Sequence, residues 1–449
     1  MANGRPGSSG HGGEKSVLER SFGLKAHHTS IRTEVLAGLT TFVTMAYIIF
    51  VNPLILSNAG MDRGAVTTAT ILAAAFSTIL MGIWAKHPFA LASGMGLNAF
   101  FAYYVSAMAG WEVALGAVFI SGIAFVLLSV TGAITHIDAA MPESLKRAVA
   151  VGIGLFIALI GMKNAGIVTA FAPTLVELGD LTAPEPRLAV IGLVITCVLL
   201  VFRLVKVRGA MLMGILLTTV IGIPLGVTRV GGSLVGPPAS LAPVLFKLDI
   251  GGALGLGFMV IFAFLFVDVF DTVGTLMGTA TRAGMLDARG RLPGIKAAMA
   301  VDAVGTMFGA AVGTSTVTTY IESASGIAEG GRTGLTAVTV GVLFLVSLIF
   351  SPVALMVPAA ATAPALIIVG ILMMGAVAGI NFEDFTEALP AFMTMVIMPF
   401  TFSISNGIAV GFVLCAMVKL AAGRGKEVHP LVYAIALASL VHLFPGLLQ

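Results

Sequence analysis

Residues 264–285 read FLFVDVFDTVGTLMGTATRAGM. At helical spacing, one polar stripe runs along this segment, and it consists of Asp268, Asp271, Thr272, Thr275 and Thr279. The residues around the stripe are apolar or glycine and the flanking sequence is apolar too, so the stripe is expected to face a protein interior or a wet cavity. Carboxylates inside a membrane segment indicate a functional site by default. The alternative is a polar network that only packs helices together.

The composition places this segment in a membrane protein. The chain has 449 residues, of which 58% are hydrophobic and 10% are Asp, Glu, Lys or Arg, whereas soluble domains are about a quarter charged. The mean hydropathy is +1.06. Long apolar runs and 54 glycines predict a polytopic protein of closely packed and interrupted helices.

Several other classes are disfavoured by the sequence. Cys197 and Cys415 both lie in apolar runs, so neither a disulfide framework nor a cysteine metal site is expected. No nucleotide-binding GxxxxGK[ST] motif occurs, which favours a process driven by an ion gradient. Residues 1–21 are rich in glycine, serine and charge, which predicts a disordered tail and no cleavable signal peptide.

Apolar runs predict fourteen membrane-spanning segments in an all-α fold. Their approximate bounds are 35–55, 65–85, 90–106, 112–135, 142–162, 188–205, 209–227, 252–280, 295–311, 314–328, 334–351, 363–380, 385–402 and 404–421. A further apolar stretch, 430–446, is expected to lie at the interface or to pack as an extra helix. Seven plus seven segments give two halves of opposite orientation, since seven is odd.

Two of these segments are interrupted, and they hold matching positions in the two halves. Residues 90–106 contain Gly94 and Gly96, and residues 313–328 read GTSTVTTYIESASGIA. Such backbone is tolerated at membrane depth only where protein buries it or a cavity wets it. Paired interruptions indicate a binding site between inverted repeats.

A fainter repeat links the fifth segment of each half. Pro142 and Gly154 are spaced like Pro358 and Gly370. Two matched glycines are weak evidence in a chain so rich in glycine.

The basic residues support this topology. With the N-terminus inside, nineteen of the 24 Lys and Arg fall in inner segments, and the five outer ones are Arg63, Lys163, Arg187, Arg229 and Lys247. The positive-inside rule asks for this asymmetry, which predicts that both termini are cytoplasmic.

Buried acidic residues are the chemical candidates. Asp271, Asp268 and Glu322 lie within the second-half segments, and Asp302 lies near the start of the ninth. None of the seven histidines falls inside a predicted span, so a proton relay would use carboxylates. For Glu322 the alternative is a loop glutamate at the membrane surface.

The first half offers Asn98, whose amide has donors and acceptors that suit the edge of a heterocycle. An asparagine beside a glycine-rich break can equally be a cap or turn residue. Thr44 and Tyr47 in the first span are weaker candidates.

Four motifs carry a resemblance to a known family. They are TTFVTMAYIIFVNP at 40–53, ASGMGLNAFFAYYV at 92–105, FVDVFDTVGTLMGTATRAGML at 266–286 and GTSTVTTYIESASGIAEGGRTGL at 313–335. The chain resembles the nucleobase–cation symporter-2 (nucleobase–ascorbate) superfamily, and more narrowly its hypoxanthine/adenine/guanine permease branch, from about Phe22 to Leu420.

The resemblance implies a seven-plus-seven inverted repeat with two domains. A core domain would contain residues 22–135 and 251–351, and a gate domain residues 136–250 and 352–421, with 422–449 as a C-terminal segment. Short antiparallel β-strands in the broken third and tenth spans would meet at the midplane, and purine would bind between them and the eighth span.

The resemblance also implies site residues. Asp271 and Glu322 correspond to two substrate-binding acidic positions, Asn98 and Asp268 match polar positions of the purine-permease branch, and Asp302 matches an acidic position on the ninth span. Thr319, Ile321, Thr44 and Tyr47 complete the predicted substrate contacts. Asp271, Glu322 and Asp302 are the predicted proton-coupling groups.

The predicted function is import of hypoxanthine, adenine and guanine by proton symport across the cell membrane. We expect a non-enzyme without metal or cofactor. Its partners would be the purine, the proton and the bilayer, not nucleic acid, and homodimerisation stays open. The alternatives are an anion or uracil/xanthine transporter of the same fold, a channel, or an intramembrane aspartyl protease. The protease is disfavoured because Asp268 and Asp271 share one helix turn.

Overall fold

The computed structural model describes residues 17–201, 209–231, 233–287 and 291–444. Most of the tail predicted to be disordered lies outside these residues, and residues 17–22 form a helix. Six basic residues of the predicted inner segments, Arg5, Lys15, Arg203, Lys206, Arg208 and Arg289, lie outside them as well.

Short helices, long helices, one strand pair and one further strand make up the first half. Side chains cap several helices at their first turn; for example, Asp62 accepts a hydrogen bond from the N–H of Ala65. The elements are α1 Val17–Phe22, α2 Ile31–Met45, α3 Ile48–Ser57, α4 Arg63–Leu80, β1 Leu91–Ser93, α5 Met95–Phe100, α6 Ser106–Ala109, α7 Trp111–Thr131, α8 Ala133–Ala140, α9 Glu143–Asn164, β2 Val168–Phe171, β3 Leu175–Leu178, α10 Pro184–Val201 and α11 Ala210–Gly222.

The second half repeats the alternation of long helices and one broken segment. Glycines in the left-handed region end two of its helices, Gly284 after α13 and Gly313 after α14. The elements are α12 Ile250–Leu254, α13 Phe258–Ala283, α14 Ile295–Val312, β4 Val317–Thr319, α15 Ser323–Ala328, α16 Gly334–Ser347, α17 Ser351–Met356, α18 Ala359–Met374, α19 Phe385–Thr401, α20 Ile404–Ala421 and α21 Pro430–Leu443.

The described residues form a polytopic helical membrane fold. Ten of its helices are long and apolar enough to cross a membrane. The other four predicted spans are the two broken segments and two shorter apolar helices, Ala210–Gly222 and Phe385–Thr401. The total of fourteen spans therefore stays a prediction.

The two broken segments meet as predicted. Strand β1 pairs antiparallel with β4, with Leu91 opposite Thr319 and Ser93 opposite Val317. This pairing satisfies backbone groups that no helix accommodates at membrane depth. Residues 91–105 are called the first crossing arm here, and residues 317–328 the second crossing arm.

A second strand pair was not predicted from the sequence. Strands β2 and β3 form an antiparallel hairpin between α9 and α10, and most of its side chains are exposed.

Helices α9 and α18 cross at Gly154 and Gly370, the two glycines that hold matching positions in the fifth segment of each half. Pro142 and Pro358 are the N-cap residues of these helices. A Cβ atom on Gly154 would lie 2.9 Å from the carbonyl oxygen of Gly370, and one on Gly370 would lie 2.5 Å from the carbonyl oxygen of Gly154. The contact is reciprocal, and it requires glycine on both helices.

Candidate functional site

The polar stripe on α13 divides between two environments. Asp268, Thr272 and Thr279 are buried, whereas Thr275 is half-buried and Asp271 is exposed. Because the buried Thr318 of β4 lies 3.4 Å from Asp271 Oδ2, Asp271 lies at the open edge of a cleft between α13 and β4.

This cleft continues along α13 towards its C-terminal end. Gly274 and Gly278 lie on the helix face next to Asp271, and a Cβ atom on either glycine would meet no heavy atom within 4 Å. The surface formed by Asp271, Gly274 and Gly278 is called the α13 cleft here.

Glu322, at the start of α15, belongs to the same region. The hydroxyl of Tyr47 donates a hydrogen bond to Glu322 Oε1 at 2.7 Å. Helix α15, which begins after Glu322, packs against α13, which carries Asp271. Ile321, beside Glu322, is 57% exposed. The structure thus brings together four of the predicted residues, Asp271, Glu322, Ile321 and Tyr47.

Asp268 and Asp302 lie against the opposite face of β4. Thr306 on α14 donates to Asp268 Oδ2 at 2.8 Å, and its hydroxyl also lies 2.9 Å from the Val317 carbonyl oxygen. Thr319 donates to Asp302 Oδ1 at 2.8 Å. Among the described residues, Asp268 Oδ1 and Asp302 Oδ2 are buried without a hydrogen-bond partner.

Successive side chains of β4 point to opposite faces of the strand. This alternation separates the acidic group of Asp271 and Glu322 from that of Asp268 and Asp302. The Thr318 hydroxyl lies 3.4 Å from Asp271 Oδ2 and 3.0 Å from the Thr272 hydroxyl. Thr319 points the other way, so in this conformation its hydroxyl is engaged by Asp302 and buried. Thr306 and Thr318 were missed in the sequence. The alternating threonines before Tyr320, and the spacing of four between Asp302 and Thr306, were the available signals.

Asn98 is buried in the first crossing arm. Its amide oxygen lies 3.2 Å from the Ser93 hydroxyl, and within the described ranges its amide nitrogen has no hydrogen-bond partner. Thr44 is not joined to the acidic residues by a hydrogen bond, since its hydroxyl donates to carbonyl oxygens of its own helix, at Thr40 and Thr41.

A polar and aromatic cluster joins the first crossing arm to the end of α9. Asn58 donates to the Tyr103 hydroxyl at 3.0 Å, and Tyr103 donates to Asn164 Oδ1 at 2.9 Å. The ammonium of Lys163 lies 5.1 Å from the ring centroids of both Tyr103 and Phe402. These contacts hold the C-terminal end of α9 against the first crossing arm.

The site does not have the composition of a metal centre. In the part of the chain that the structure describes, no group of three or more His, Cys, Asp or Glu could hold a metal ion. The region instead contains the carboxylates of Asp271 and Glu322, which suit a polar organic ligand.

The fold is that of a multi-pass helical membrane protein. It resembles the transmembrane domain of a cyanobacterial bicarbonate transporter, BicA, with a TM-score of 0.64 over 85% of this chain and 97% of that chain. The two sequences are 16% identical, so the likeness shows the fold alone.

The sequence comparisons identify the family. Residues 32–410 match the model of a permease family. Adenine permease AdeP of Escherichia coli (strain K12) is 46% identical, over 94% of this chain and 95% of that protein. Guanine/hypoxanthine permease PbuO of Bacillus subtilis (strain 168) is 44% identical, over 94% and 99%. The chain belongs to the nucleobase–cation symporter-2 family of permeases, as its motifs predicted.

Proposed function

We propose that this permease imports purine nucleobases, namely hypoxanthine, adenine and guanine, together with protons across the cell membrane. Relatives that match almost the whole chain are named for adenine, guanine and hypoxanthine. The observation that carries the proposal is that Asp271 is open to solvent on α13 beside the paired strands of the crossing arms, and that α15, which begins after Glu322, packs against α13.

Purine chemistry fits this arrangement. Ring N–H groups of the base would donate to the carboxylates of Asp271 and Glu322, and charge-assisted hydrogen bonds of this kind are stronger than neutral ones. Asn98 would satisfy an acceptor on the base, and the exposed side chain of Ile321 would lie against the ring. Asp268 and Thr319, predicted as substrate contacts, would act through the strand, because their polar atoms are buried on its other face.

Proton coupling would use a carboxylate, with Asp271, Glu322 and Asp302 as the candidate groups. Protonation would neutralise the loaded site and so lower the free energy of moving it through an apolar environment. One proton moving through about 100 mV supplies about 2.3 kcal/mol. At about 1.4 kcal/mol per factor of ten, this could concentrate a neutral base several tens of fold.

The proposed orientation places both termini in the cytoplasm. The α13 cleft then opens to the cytoplasm, and the cluster of Asn58, Tyr103, Asn164, Lys163 and Phe402 closes the outer side. The core domain would be residues 22–135 and 251–351, and the gate domain residues 136–250 and 352–421. The packing of α9 on α18 and of α7 on α14 supports this division. Homodimerisation belongs to the same proposal.

Uptake of radiolabelled hypoxanthine into cells that lack their own purine carriers tests the proposal. Excess unlabelled adenine, guanine or hypoxanthine should compete, uracil should not, and a protonophore should collapse accumulation. Uptake that resists the protonophore would refute proton coupling while leaving purine transport intact. Failure of every purine to compete would refute the substrate class.

A further inference from the structure

A line of hydrogen bonds leads from the first span to Asn98. The amide nitrogen of Asn52 on α3 lies 2.7 Å from the Thr70 hydroxyl and 2.8 Å from the Thr314 hydroxyl. The Thr70 hydroxyl donates its own proton to the Val66 carbonyl oxygen at 2.7 Å. Thr70 therefore accepts from Asn52, which fixes the Asn52 amide with its NH₂ group towards both threonines.

The same order of donors and acceptors continues into the first crossing arm. Thr314 accepts from Asn52, so its proton is free for the Ser93 hydroxyl, 3.4 Å away. Ser93 in turn donates to the amide oxygen of Asn98. Because each hydroxyl has one proton to pass on, the line of hydrogen bonds ends with the Asn98 oxygen occupied and its NH₂ group without a partner among the residues that the structure describes.

The unpaired NH₂ group belongs to a residue beside the acidic cleft. Asn98 lies one helical turn after Gly94, and a Cβ atom on Gly94 would be 3.0 Å from the methyl carbon of Thr318. Thr318 contacts Asp271, and α5, which carries Asn98, packs against α13 and α9. A buried donor without a partner is unfavourable until an acceptor reaches it. A bound purine in this cleft could supply that acceptor.

We propose that Ser93 is a specificity-determining residue that makes the permease prefer 6-oxopurines over adenine. By holding the amide oxygen of Asn98, Ser93 presents the Asn98 NH₂ group as a donor to the cargo. Hypoxanthine and guanine carry a carbonyl acceptor at carbon 6, whereas adenine carries an amino donor there. This inference rests on the proposed function and narrows its substrate class.

Competitive binding to the purified full-length chain in proteoliposomes tests it. We expect hypoxanthine to displace labelled guanine at a concentration at least about tenfold lower than the concentration of adenine that is needed. The amino group of adenine would face the Asn98 NH₂ group, and two facing donors leave a buried polar group unpaired. In Ser93→Ala the amide is free to turn, so this ratio should fall at least about threefold. A merely structural effect of the substitution would weaken both bases equally.

Two further variants keep the test decisive. Ser93→Thr retains the hydroxyl and should retain the ratio. Asn98→Asp offers acceptors in place of the donor and should shift the ratio towards adenine even if Ser93→Ala does not fold. Ser93 also lies 3.3 Å from the Thr316 carbonyl oxygen. If its proton goes there and the Asn98 amide turns over, the wild-type protein would prefer adenine, and the inference would be wrong.

The outcomes separate this inference from the proposed function. If no purine binds the wild-type chain, the proposed function fails. If purines bind but the wild type does not favour hypoxanthine, or if Ser93→Ala leaves the ratio unchanged, only the role of Ser93 fails.

Discussion

The two crossing arms share a backbone plan but differ in chemistry. Each consists of a three-residue strand followed by a short helix, and the strands pair with each other. The first arm contributes Asn98, a buried amide. The second contributes Glu322, a carboxylate beside the open cleft. Similar frames thus place a neutral group and an acidic group on either side of one strand pair.

The arms also differ in what holds them. Among its ties to neighbouring elements, the first arm is joined to α3 by hydroxyl and amide groups, through Ser93, Thr314 and Asn52. The second arm is tied to buried aspartates on two helices, through Thr306 and Thr319. Neutral hydrogen bonds orient the side chains of the first arm, whereas the two aspartates also place acidic groups beside the second arm. Changes in the second arm should therefore have the larger effects.

The largest effect is expected from the acidic residues of the cleft. Asp271→Asn and Glu322→Gln should each lower purine uptake at least about tenfold, because hydrogen bonds to charged groups contribute about 1.5–3 kcal/mol. The measurement is radiolabelled uptake normalised to the amount of protein in the membrane. Glu177→Gln, in the exposed hairpin, is the control and should transport normally. Normal uptake by both acidic variants would show that neither carboxylate contributes to purine binding.

The next effect concerns the attachment of the second arm. Thr306→Val removes the hydroxyl that contacts both Asp268 and Val317, so it should destabilise the protein by about 1–3 kcal/mol. Thermal unfolding in detergent should show a lower Tm. Thr131→Val is the matched control, since Thr131 is exposed and its hydroxyl donates to carbonyl oxygens of its own helix. Equal Tm values for the two variants would contradict the role assigned to Thr306.

Substitution of two glycines distinguishes the open α13 cleft from the packed side of the second arm. A Cβ atom on Gly309 would lie 2.7 Å from the Ser315 carbonyl oxygen, whereas one on Gly274 would meet nothing. Gly309→Ala should therefore lower Tm, with a loss of about 1–3 kcal/mol from overpacking. Gly274→Ala should leave Tm unchanged or raise it, because alanine favours the helix by up to about 1 kcal/mol. A large loss in Gly274→Ala would show that this face is packed.

The smallest effect is expected outside both arms. Asp384 caps α19, and its hydrogen bond with Arg424 at 2.7 Å holds the pKa of the Asp384 carboxyl well below its usual range. Because the pKa is lower in the folded state, the stabilisation is present above the unfolded value of about 4 and disappears as pH falls through the folded value. Asp384→Asn keeps a capping side chain, so a slightly lower Tm at neutral pH should converge with wild type in strong acid. Purine uptake should not change, and a large loss of uptake would link this contact to the transport cycle.

Much of the fold follows from the sequence because apolar length and glycine breaks are local properties. The division of the α13 stripe does not. Asp268 and Asp271 are only about 60° apart around a helix, at about 100° per residue, so periodicity alone cannot place them in different environments. Their partners, Thr306 and Thr318, are distant in sequence, and only tertiary packing brings them close. The β2–β3 hairpin was missed because its strands are four residues long and too short for an apolar run to mark them.

The crossing of α9 and α18 has a consequence for how the two halves can diverge. Each glycine faces the backbone of its counterpart, so the contact is self-complementary, like the dyad of a symmetric dimer. A side chain added on one helix cannot be accommodated by shrinking the other, since glycine is already the smallest residue. Away from such a dyad, one half can carry an amide where the other carries an acid, as Asn98 and Glu322 do in the two arms. At the dyad itself, both equivalent positions must be glycine.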